Sequence, residues 1–319
     1  MLNNISVTVI VCTWNRSQLL KKAIDSLTRQ IVSPENNFEV IVVDNNSTDD
    51  TQYVVETFSK YQTNIQIIYR FEPTQGKQFA LNNGISAARG EIVAFTDDDI
   101  ILPSNWINNI IQAFSDKSLE LCGGKTEVSW PNAAPPDWYD YSMSAVVGAI
   151  DLGSNRISPP PLGYAPAGAN LIARKSIFEK IGLFSTDHYR HMDQEFGERC
   201  AKHGIKIAYE PEIVVFAPID QKCLTKKYFR RWAFKSGFPI GEENINARCL
   251  SKFFIPKWMI LQLMKDTARL IGFSRNSFSA EFRIFRNLGF ILGTWRKAIS
   301  PHSYDKWVKH WSQKKNDTY

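Results

Sequence analysis

Three consecutive aspartates, Asp97, Asp98 and Asp99, follow a short apolar run at residues 92–95. Like charges packed at the end of a buried strand repel one another, so the arrangement is destabilising unless a cation neutralises it. A ligand set made only of oxygen atoms favours hard cations, Mg²⁺ or Mn²⁺, over Zn²⁺. The triplet therefore predicts a divalent-cation site. The alternative interpretation is a solvated, Asp-rich turn before the next helix.

Other polar residues follow two further apolar runs. Thr13 and Asn15 come after the run at 7–12, and Asp44 follows the run at 40–43. Such runs alternate with helical patterns along the first third of the chain, with strands predicted at 7–12, 40–43, 65–69 and 92–95 and helices at 17–30, 47–58, 77–88 and 103–114. The alternation is typical of a doubly wound, mainly parallel α/β sheet. Ligands bind beyond the carboxyl ends of such strands, so these residues are expected near the aspartates.

Glycine patterns argue against two common nucleotide sites. The first glycine in the chain is Gly76, so no GxGxxG fingerprint can follow the first strand. The segment 123–126, Gly-Gly-Lys-Thr, resembles the end of a phosphate-binding loop, but Leu119 stands where that loop needs a glycine. We interpret the segment as a strand edge and turn. A nucleotide would then be held by carboxylates rather than by a glycine-rich loop.

Composition and charge describe a globular chain with two different halves. Of 319 residues, 44% are hydrophobic and 22% charged, which excludes disordered and coiled-coil proteins. The net charge is +6, but it is unevenly distributed. Residues 217–319 contain 20 Lys and Arg and seven Asp and Glu, whereas residues 1–216 contain 18 Lys and Arg and 25 Asp and Glu. The sequence thus predicts an acidic body with a basic tail.

The five cysteines are scattered and form no CxxC pair, so neither a disulfide framework nor a zinc site is predicted. A reducing, cytoplasmic compartment fits this pattern best. The amino terminus lacks the basic start and long apolar core of a signal peptide. Apolar stretches in the tail are much shorter than the roughly 20 residues that a membrane-spanning helix needs.

An ordered set of motifs resembles those of the family 2 glycosyltransferases with the GT-A fold. The motifs lie at 12–16, 43–49, 80–84, 95–99, 168–170, 181–184 and 193–195. The resemblance covers about residues 5–240, and the order of the motifs is more specific than any one of them. It implies a catalytic domain at 1–240, with a GT-A-type doubly wound, mainly parallel sheet.

The resemblance also implies roles for individual residues. Asp44 would accept a hydrogen bond from the base, most often uracil, and Lys77 would add a charge near the base or phosphates. A solvated lysine at a helix start is the alternative for Lys77. The implied nucleotide-binding residues are Thr13, Asn15, Arg16, Asp44, Lys77 and Asp97. The implied metal site comprises Asp97, Asp98 and Asp99, around a cation that bridges two phosphates.

The resemblance further implies an inverting transfer, which needs a carboxylate on the acceptor side to take the hydroxyl proton. Asp193 matches the position of this base, and Glu195 is the second choice. The alternative is that both acids only complement the dipole of the helix that begins there. Gly168 and Asn170 match positions next to the donor sugar and acceptor.

The implied metal site departs from the family pattern at one position. Many relatives have a histidine after the strand that ends at 214–216, where this chain has Ala217. An extra water, His188 or His191 would replace that ligand. A surface position is the more common one for a loop histidine.

Two regions outside these motifs have open interpretations. The segment 130–166 is rich in proline and aromatic residues, among them Trp138, which suits either a lid over the acceptor or a structural wrap over the sheet. Residues 241–319 are predicted as a basic, amphipathic helical extension, with helices at 253–271 and 282–299. Such helices suit an anionic membrane surface. A helical subdomain packed on the sheet is the alternative, and no nucleic-acid-binding motif is present.

Together these features predict a metal-dependent inverting glycosyltransferase that uses Mn²⁺ or Mg²⁺. It would move a sugar from a nucleotide-diphosphate sugar, with a UDP-sugar favoured, to a hydroxyl of a glycan or lipid-linked acceptor. Cell-surface polysaccharide or glycolipid synthesis is the expected process, and the cytoplasmic face of the membrane the expected location. The alternatives are a non-catalytic sugar-nucleotide-binding protein and a sugar nucleotidyltransferase.

Overall fold

The computed structural model describes residues 5–33, 36–62, 64–161, 163–187, 191–243, 255–271 and 277–299. The chain divides into two compact units. The first comprises residues 1–129 and 149–218, and the second comprises 130–148 and 219–319. Residue 240, the boundary expected from the sequence, lies within a helix of the second unit, Lys226–Glu243.

The first unit is built on a seven-stranded sheet in the order β3-β2-β1-β4-β6-β5-β7. The strands are β1 Ile5–Thr13, β2 Asn37–Asp44, β3 Gln66–Phe71, β4 Ile92–Asp97, β5 Leu121–Ser129, β6 Leu171–Arg174 and β7 Ile207–Pro218. Strand β6 runs antiparallel to both β4 and β5, and the other neighbouring pairs are parallel. The predicted mainly parallel α/β class is confirmed.

Helices cover both faces of this sheet because its central strands are apolar on both sides. Val9 and Val11 of β1 belong to one buried cluster, and Ile10 belongs to another on the opposite side. The helices of this unit are α1 Ser17–Thr28, α2 Thr51–Tyr61, α3 Lys77–Ala87, α4 Trp106–Ala113, α5 Ser176–Ile181 and α6 Met192–Lys202. Helices α1 and α4 pack on the first cluster, and α3 and α6 pack on the second. Two apolar layers of this kind produce a doubly wound sheet.

Strand register brings three strand ends to the same level. In the parallel pairs, Thr13 of β1 lies opposite Asp44 of β2, and Cys12 of β1 lies opposite Asp97 of β4. The polar residues that follow these strands therefore emerge at one edge of the sheet, as the sequence pattern predicted.

The diglycine at 123–124 lies inside β5, so its interpretation as a strand edge and turn is wrong. A Cβ atom on Gly124 would overlap the carbonyl oxygen of Ile213 in β7. The pairing of β5 with β7 is irregular between Gly124 and Lys125. Close backbone approach at this bulge explains the glycine without any phosphate site.

The described residues of the second unit include three α-helices, α7 Lys226–Glu243, α8 Lys257–Ile271 and α9 Ser277–Ile299. Glycines on α7 and α9 face the partner backbone: a Cβ on Gly237 would overlap Arg286 O, and one on Gly241 would overlap Phe290 O. A step of four residues along α7, from Gly237 to Gly241, corresponds to a step of four along α9, from Arg286 to Phe290. The two helices therefore run in the same direction. Gly289 and Gly293 make the reciprocal contacts with α7.

The segment 130–148 packs in the second unit through an aromatic cluster. Trp138 lies edge-on to Phe229 and Phe278, with ring centroids 5.0 and 5.1 Å apart. Edge-to-face pairs of this kind stabilise a core beyond their buried area. Trp138 therefore packs on α7 and α9 of the second unit. Among the helices of the described ranges, none is both long and apolar enough to cross a membrane.

Replacing Gly289 by alanine tests the glycine contact between α7 and α9. Alanine has the higher helix propensity by about 1 kcal/mol, so an isolated helix would be stabilised. In this protein we expect the free energy of unfolding to fall by about 1–3 kcal/mol, because the new Cβ overlaps the Phe234 carbonyl oxygen. Denaturant unfolding measures the change. An unchanged or raised stability for Gly289→Ala would contradict the contact.

Candidate active site

Two cationic side chains neutralise the aspartate triplet. Asp98 is 4% exposed, and its two carboxylate oxygens accept hydrogen bonds from Thr13 Oγ1 at 2.8 Å and Arg16 Nη1 at 3.1 Å. The same Arg16 nitrogen lies 3.1 Å from Asp99 Oδ2. Lys77, the first residue of α3, donates a short hydrogen bond to Asp97 Oδ1. The repulsion predicted among the three carboxylates is therefore offset by Arg16 and Lys77.

Burial and charge shift the proton affinities of these groups in the expected directions. Burial raises the pKa of Asp98 to about 6, although the nearby Arg16 opposes the shift. Burial and the charge of Asp97 raise the pKa of Asp99. Burial opposes the charge on Lys77, but the Asp97 carboxylate outweighs it, so the pKa of Lys77 lies above its usual value. Lys77 is a charged partner of the triplet, not a solvated helix-start lysine.

Asp193 lies close to the triplet through Gly168 and Lys77. The backbone N–H of Gly168 donates to Asp193 Oδ2 at 3.0 Å. A Cβ atom on Gly168 would lie 3.7 Å from both Asp193 Oδ2 and Lys77 Nζ. Asp193 sits in the first turn of α6, and its charge contributes to the raised pKa of Lys77. The two acidic motifs, about a hundred residues apart in sequence, are thus linked by one lysine.

Glu195, the second candidate for the base, is committed to a different partner. Its carboxylate forms a bidentate pair with Arg199 one turn later in α6, at 2.7 and 3.0 Å. Arg199 also donates to the carbonyl oxygens of Ile181 and Leu183 at 2.6 and 2.8 Å. This network ties α6 to the end of α5.

Asp44, the expected base contact, is 3% exposed and already has two partners. Its Oδ1 accepts the backbone N–H of Ser47 at 2.8 Å, and its Oδ2 accepts the hydroxyl of Tyr69 at 2.9 Å. Burial and this hydrogen bond raise the pKa of Tyr69. Each carboxylate oxygen can accept a second bond, so Asp44 stays available to a ligand while Tyr69 fixes its orientation.

Asn15 and Asn45 hold the loops around the site. Asn15 has a left-handed backbone, φ 52°, and its Oδ1 accepts the Thr48 N–H at 2.7 Å. The Asn45 amide donates to the carbonyl oxygens of Glu72 and Thr74 and accepts the Gly76 N–H. Asparagine both donates and accepts, which an aspartate cannot do, so Asn45 shapes the loop that leads to Lys77.

Asn170, expected beside the sugar, is 1% exposed. Its Oδ1 accepts the indole N–H of Trp106 at 3.1 Å, and its Nδ2 donates to Ile213 O at 2.7 Å and Lys125 O at 3.2 Å. These bonds join α4, β5 and β7. The side chain is therefore occupied in holding the sheet together, whereas the neighbouring Gly168 does lie at the site.

The carboxylates suit a hard cation by their chemistry and exposure. The side chains of Asp97 and Asp99 are 30% and 43% exposed, while that of Asp98 is 6% exposed and bonded on both oxygens. Asp97 and Asp99 are thus the accessible oxygen donors. In the described part of the chain, no group of three or more His, Cys, Asp or Glu residues is positioned to hold a metal ion. His191 precedes α6 with φ 56°, and His188 lies outside the described residues.

Two residues with clear roles, Tyr69 and Asn45, were missed by the sequence reasoning. Tyr69 lies within a predicted strand and has no motif of its own, so only the pairing of β2 with β3 reveals its contact with Asp44. Asn45 stands directly after Asp44 in the sequence, and this position next to a candidate site residue could have identified it. The structure gathers Thr13, Arg16, Lys77, the triplet, Gly168 and Asp193 at one edge of the sheet.

Comparison with known proteins gives a consistent result. Residues 8–134 match Glycosyl transferase family 2. The chain is 26% identical over 226 residues to Glycosyltransferase AglE of Haloferax volcanii, covering 70% of this chain and 71% of that protein. It is 40% identical over 117 residues to the GalNAc(5)-diNAcBac-PP-undecaprenol beta-1,3-glucosyltransferase of Campylobacter jejuni, covering 37% of each.

Solved structures share the fold. The mannosyltransferase PcManGT from Pyrobaculum calidifontis, in complex with GDP-Man and Mn²⁺, superposes with a TM-score of 0.60 at 18% identity, over 93% of this chain and 87% of that one. S. aureus TarS 1–349 in complex with UDP gives a TM-score of 0.52 at 16% identity, over 92% and 91%. At these identities the likeness establishes the fold alone.

The raised pKa of Asp98 predicts a pH dependence of stability. A folded-state pKa of about 6 lies above the ordinary value of 3.8, so the folded state holds this proton more tightly. The contribution of Asp98 to the free energy of unfolding then falls as the pH rises through about 4 to 6, by on the order of 2 kcal/mol between pH 4.5 and 7.5. Between pH 4.5 and 7.5, the free energy of unfolding of Asp98→Asn should therefore rise by this amount relative to that of the parent protein. Denaturant unfolding at several pH values measures it.

Asp116→Asn is the matched control for this titration. Hydrogen bonds from Ser118 and Arg156 lower the pKa of Asp116 to about 2, so its titration lies below the range studied. Its stability relative to the parent should stay nearly constant from pH 4.5 to 7.5. An equally flat profile for Asp98→Asn would contradict the burial argument.

Proposed function

The chain is a family 2 glycosyltransferase with a GT-A fold, and on this basis we propose that it catalyses an inverting sugar transfer. The donor is a nucleotide-diphosphate sugar, and the acceptor is a hydroxyl of a glycan or a lipid-linked molecule. Catalysis is assigned to the residues before 240. The observation that carries the proposal is the link from Asp97 through Lys77 to Asp193 at one edge of the sheet.

Asp97 and Asp99 are the residues we propose to hold Mn²⁺ or Mg²⁺, with Asp98 behind them. When bound, the cation supplies charge stabilisation to the departing diphosphate. Support comes from the two accessible carboxylates and from the Mn²⁺ and GDP-Man present in the solved mannosyltransferase. Arg16 positions Asp98 and Asp99, and Lys77 adds positive charge where the leaving group gains negative charge.

Asp193 is the proposed general base. Its carboxylate takes the proton from the acceptor hydroxyl while that oxygen bonds to the anomeric carbon and the bond to the diphosphate breaks. The Gly168 N–H fixes one carboxylate oxygen, and the charged Lys77 lies close to it. The pairing of Glu195 with Arg199 argues for Asp193 between the two candidates.

Asp44 is the proposed contact to the nucleotide base, in a pocket edged by the loops that Asn15 and Asn45 hold. A uracil is favoured by the family resemblance, and the structural neighbours contain UDP in one case and GDP-Man in the other. A lipid-linked acceptor is supported by the undecaprenol-linked substrate in the name of the Campylobacter relative. Such an acceptor would place the enzyme peripherally at the cytoplasmic face of a membrane, in polysaccharide or glycolipid synthesis.

Substitution of the two acids in the first turn of α6 tests the proposed base. Asp193→Asn keeps a carbonyl oxygen to accept the Gly168 N–H but cannot take a proton, so kcat should fall by about 100-fold or more. Glu195→Gln should lower kcat by less than about tenfold, since the change weakens the pair with Arg199 on the same helix. The rate of nucleoside diphosphate release in the presence of acceptor measures both.

Binding of the donor provides the control for this experiment. Asp193→Asn should bind the nucleoside diphosphate as the parent protein does, because Asp44 and the triplet are intact. Full transfer activity in Asp193→Asn would exclude Asp193 as the base. Donor binding without transfer in the parent protein, across a panel of acceptors, would favour the non-catalytic sugar-nucleotide-binding alternative.

A further inference from the structure

Helix α8 has a charged pair on its inner face and large apolar side chains on its outer face. Its inner face contains Asp266, which is 0% exposed and paired with Arg283 at 2.6 Å between Oδ1 and Nη2. Gln262, one turn earlier, donates to the other Asp266 oxygen at 2.9 Å. A helix on a protein surface normally turns its apolar side inward and its charges outward. In α8 an ion pair is buried, although Met259 beside it packs on α9 residues Phe290 and Ile291.

The solvent side of α8 is apolar. Ile260 is 40% exposed, Leu261 59%, Met264 65% and Ile271 74%. At about 100° per residue, these four side chains fall within a sector about 100° wide. They form a strip along about three turns of the helix, which we call the α8 strip. An exposed strip of large side chains indicates a binding surface rather than random exposure.

Cationic and aromatic side chains border the α8 strip. Lys257 and Lys265 are exposed, Arg269 is 57% exposed, and Trp258 at one edge is 59% exposed. The only acid in α8 is the buried Asp266. Residues 217–319 together contain 20 Lys and Arg and seven Asp and Glu, so this part of the chain is strongly basic. A partner that complements this surface needs an apolar layer beneath anionic groups.

We infer that the α8 strip docks on an anionic lipid bilayer, with the helix lying in the plane of the interface. The apolar strip enters the boundary of the acyl chains, and the lysines contact lipid phosphates, which is how interfacial helices bind. Among the described residues, no helix is long and apolar enough to span a bilayer, and α8 has 15 residues. A second copy of the chain would bring two cationic borders together, which disfavours self-association through this strip.

The inference deepens the proposed action on a lipid-linked acceptor, yet docking itself requires no catalysis. Docking of α8 would hold the enzyme where such an acceptor is concentrated. Loss of docking should therefore lower transfer to an acceptor in vesicles while leaving transfer to a soluble acceptor unchanged.

Flotation of the full chain with lipid vesicles tests the inference. The parent protein should partition at least tenfold more strongly onto phosphatidylcholine vesicles with 30% phosphatidylglycerol than onto pure phosphatidylcholine. Leu261→Gln with Met264→Gln should reduce binding to the anionic vesicles at least tenfold. Lys257→Gln with Lys265→Gln should reduce it severalfold, and added salt should have the same effect. Far-UV circular dichroism verifies that each variant is folded.

The matched control carries Ile31→Gln and Tyr53→Gln, two side chains of the first unit that are 71% and 72% exposed. Its vesicle binding should equal that of the parent protein. Equal binding by the Leu261/Met264 variant would overturn the inference. The inference would also be overturned if the parent protein did not bind vesicles but formed a dimer that the Leu261/Met264 variant does not form. Vesicle binding without any transfer activity would instead overturn the proposed function and leave docking intact.

Discussion

The repulsion among three adjacent carboxylates at the end of β4 is the constraint on which the site depends. Asp98 is buried against Thr13, and burial raises its pKa because charge is costly there. Arg16 pairs with Asp98 and Asp99, and Lys77 pairs with Asp97, so two cations offset part of this cost. A divalent cation and a diphosphate would add charges of both signs to a site that keeps a net negative charge.

The loops of the scaffold hold the side chains of Arg16 and Lys77 in fixed positions. Lys77 begins α3, and the preceding loop is fixed by the three hydrogen bonds of Asn45. Arg16 directly precedes α1, and its loop is tied to the next strand end through Asn15. Parallel pairing of β1 with β2 and β4 sets both loops level with the triplet. Rigid placement matters because an ion pair across a loop loses strength quickly with distance.

The sequence was informative where periodicity or local clustering carries the signal. The strands of the first third, the aspartate triplet and the paired tail helices could all be predicted, since each depends on neighbours in sequence. The bridge from Arg16 to Asp99 and the burial of Asn170 depend on partners brought together by the fold. The second unit was divided differently because the glycine contacts between α7 and α9 join residues about fifty positions apart.

The most direct test of charge balance is the affinity for Mn²⁺ without nucleotide, measured by electron paramagnetic resonance at pH 8. If Lys77 neutralises Asp97, Lys77→Met removes a competing positive charge, and Mn²⁺ should bind about tenfold or more tightly than to the parent protein. Lys22→Met, at an exposed position in α1, should leave the affinity unchanged. Unchanged or weaker Mn²⁺ binding in Lys77→Met would contradict the account.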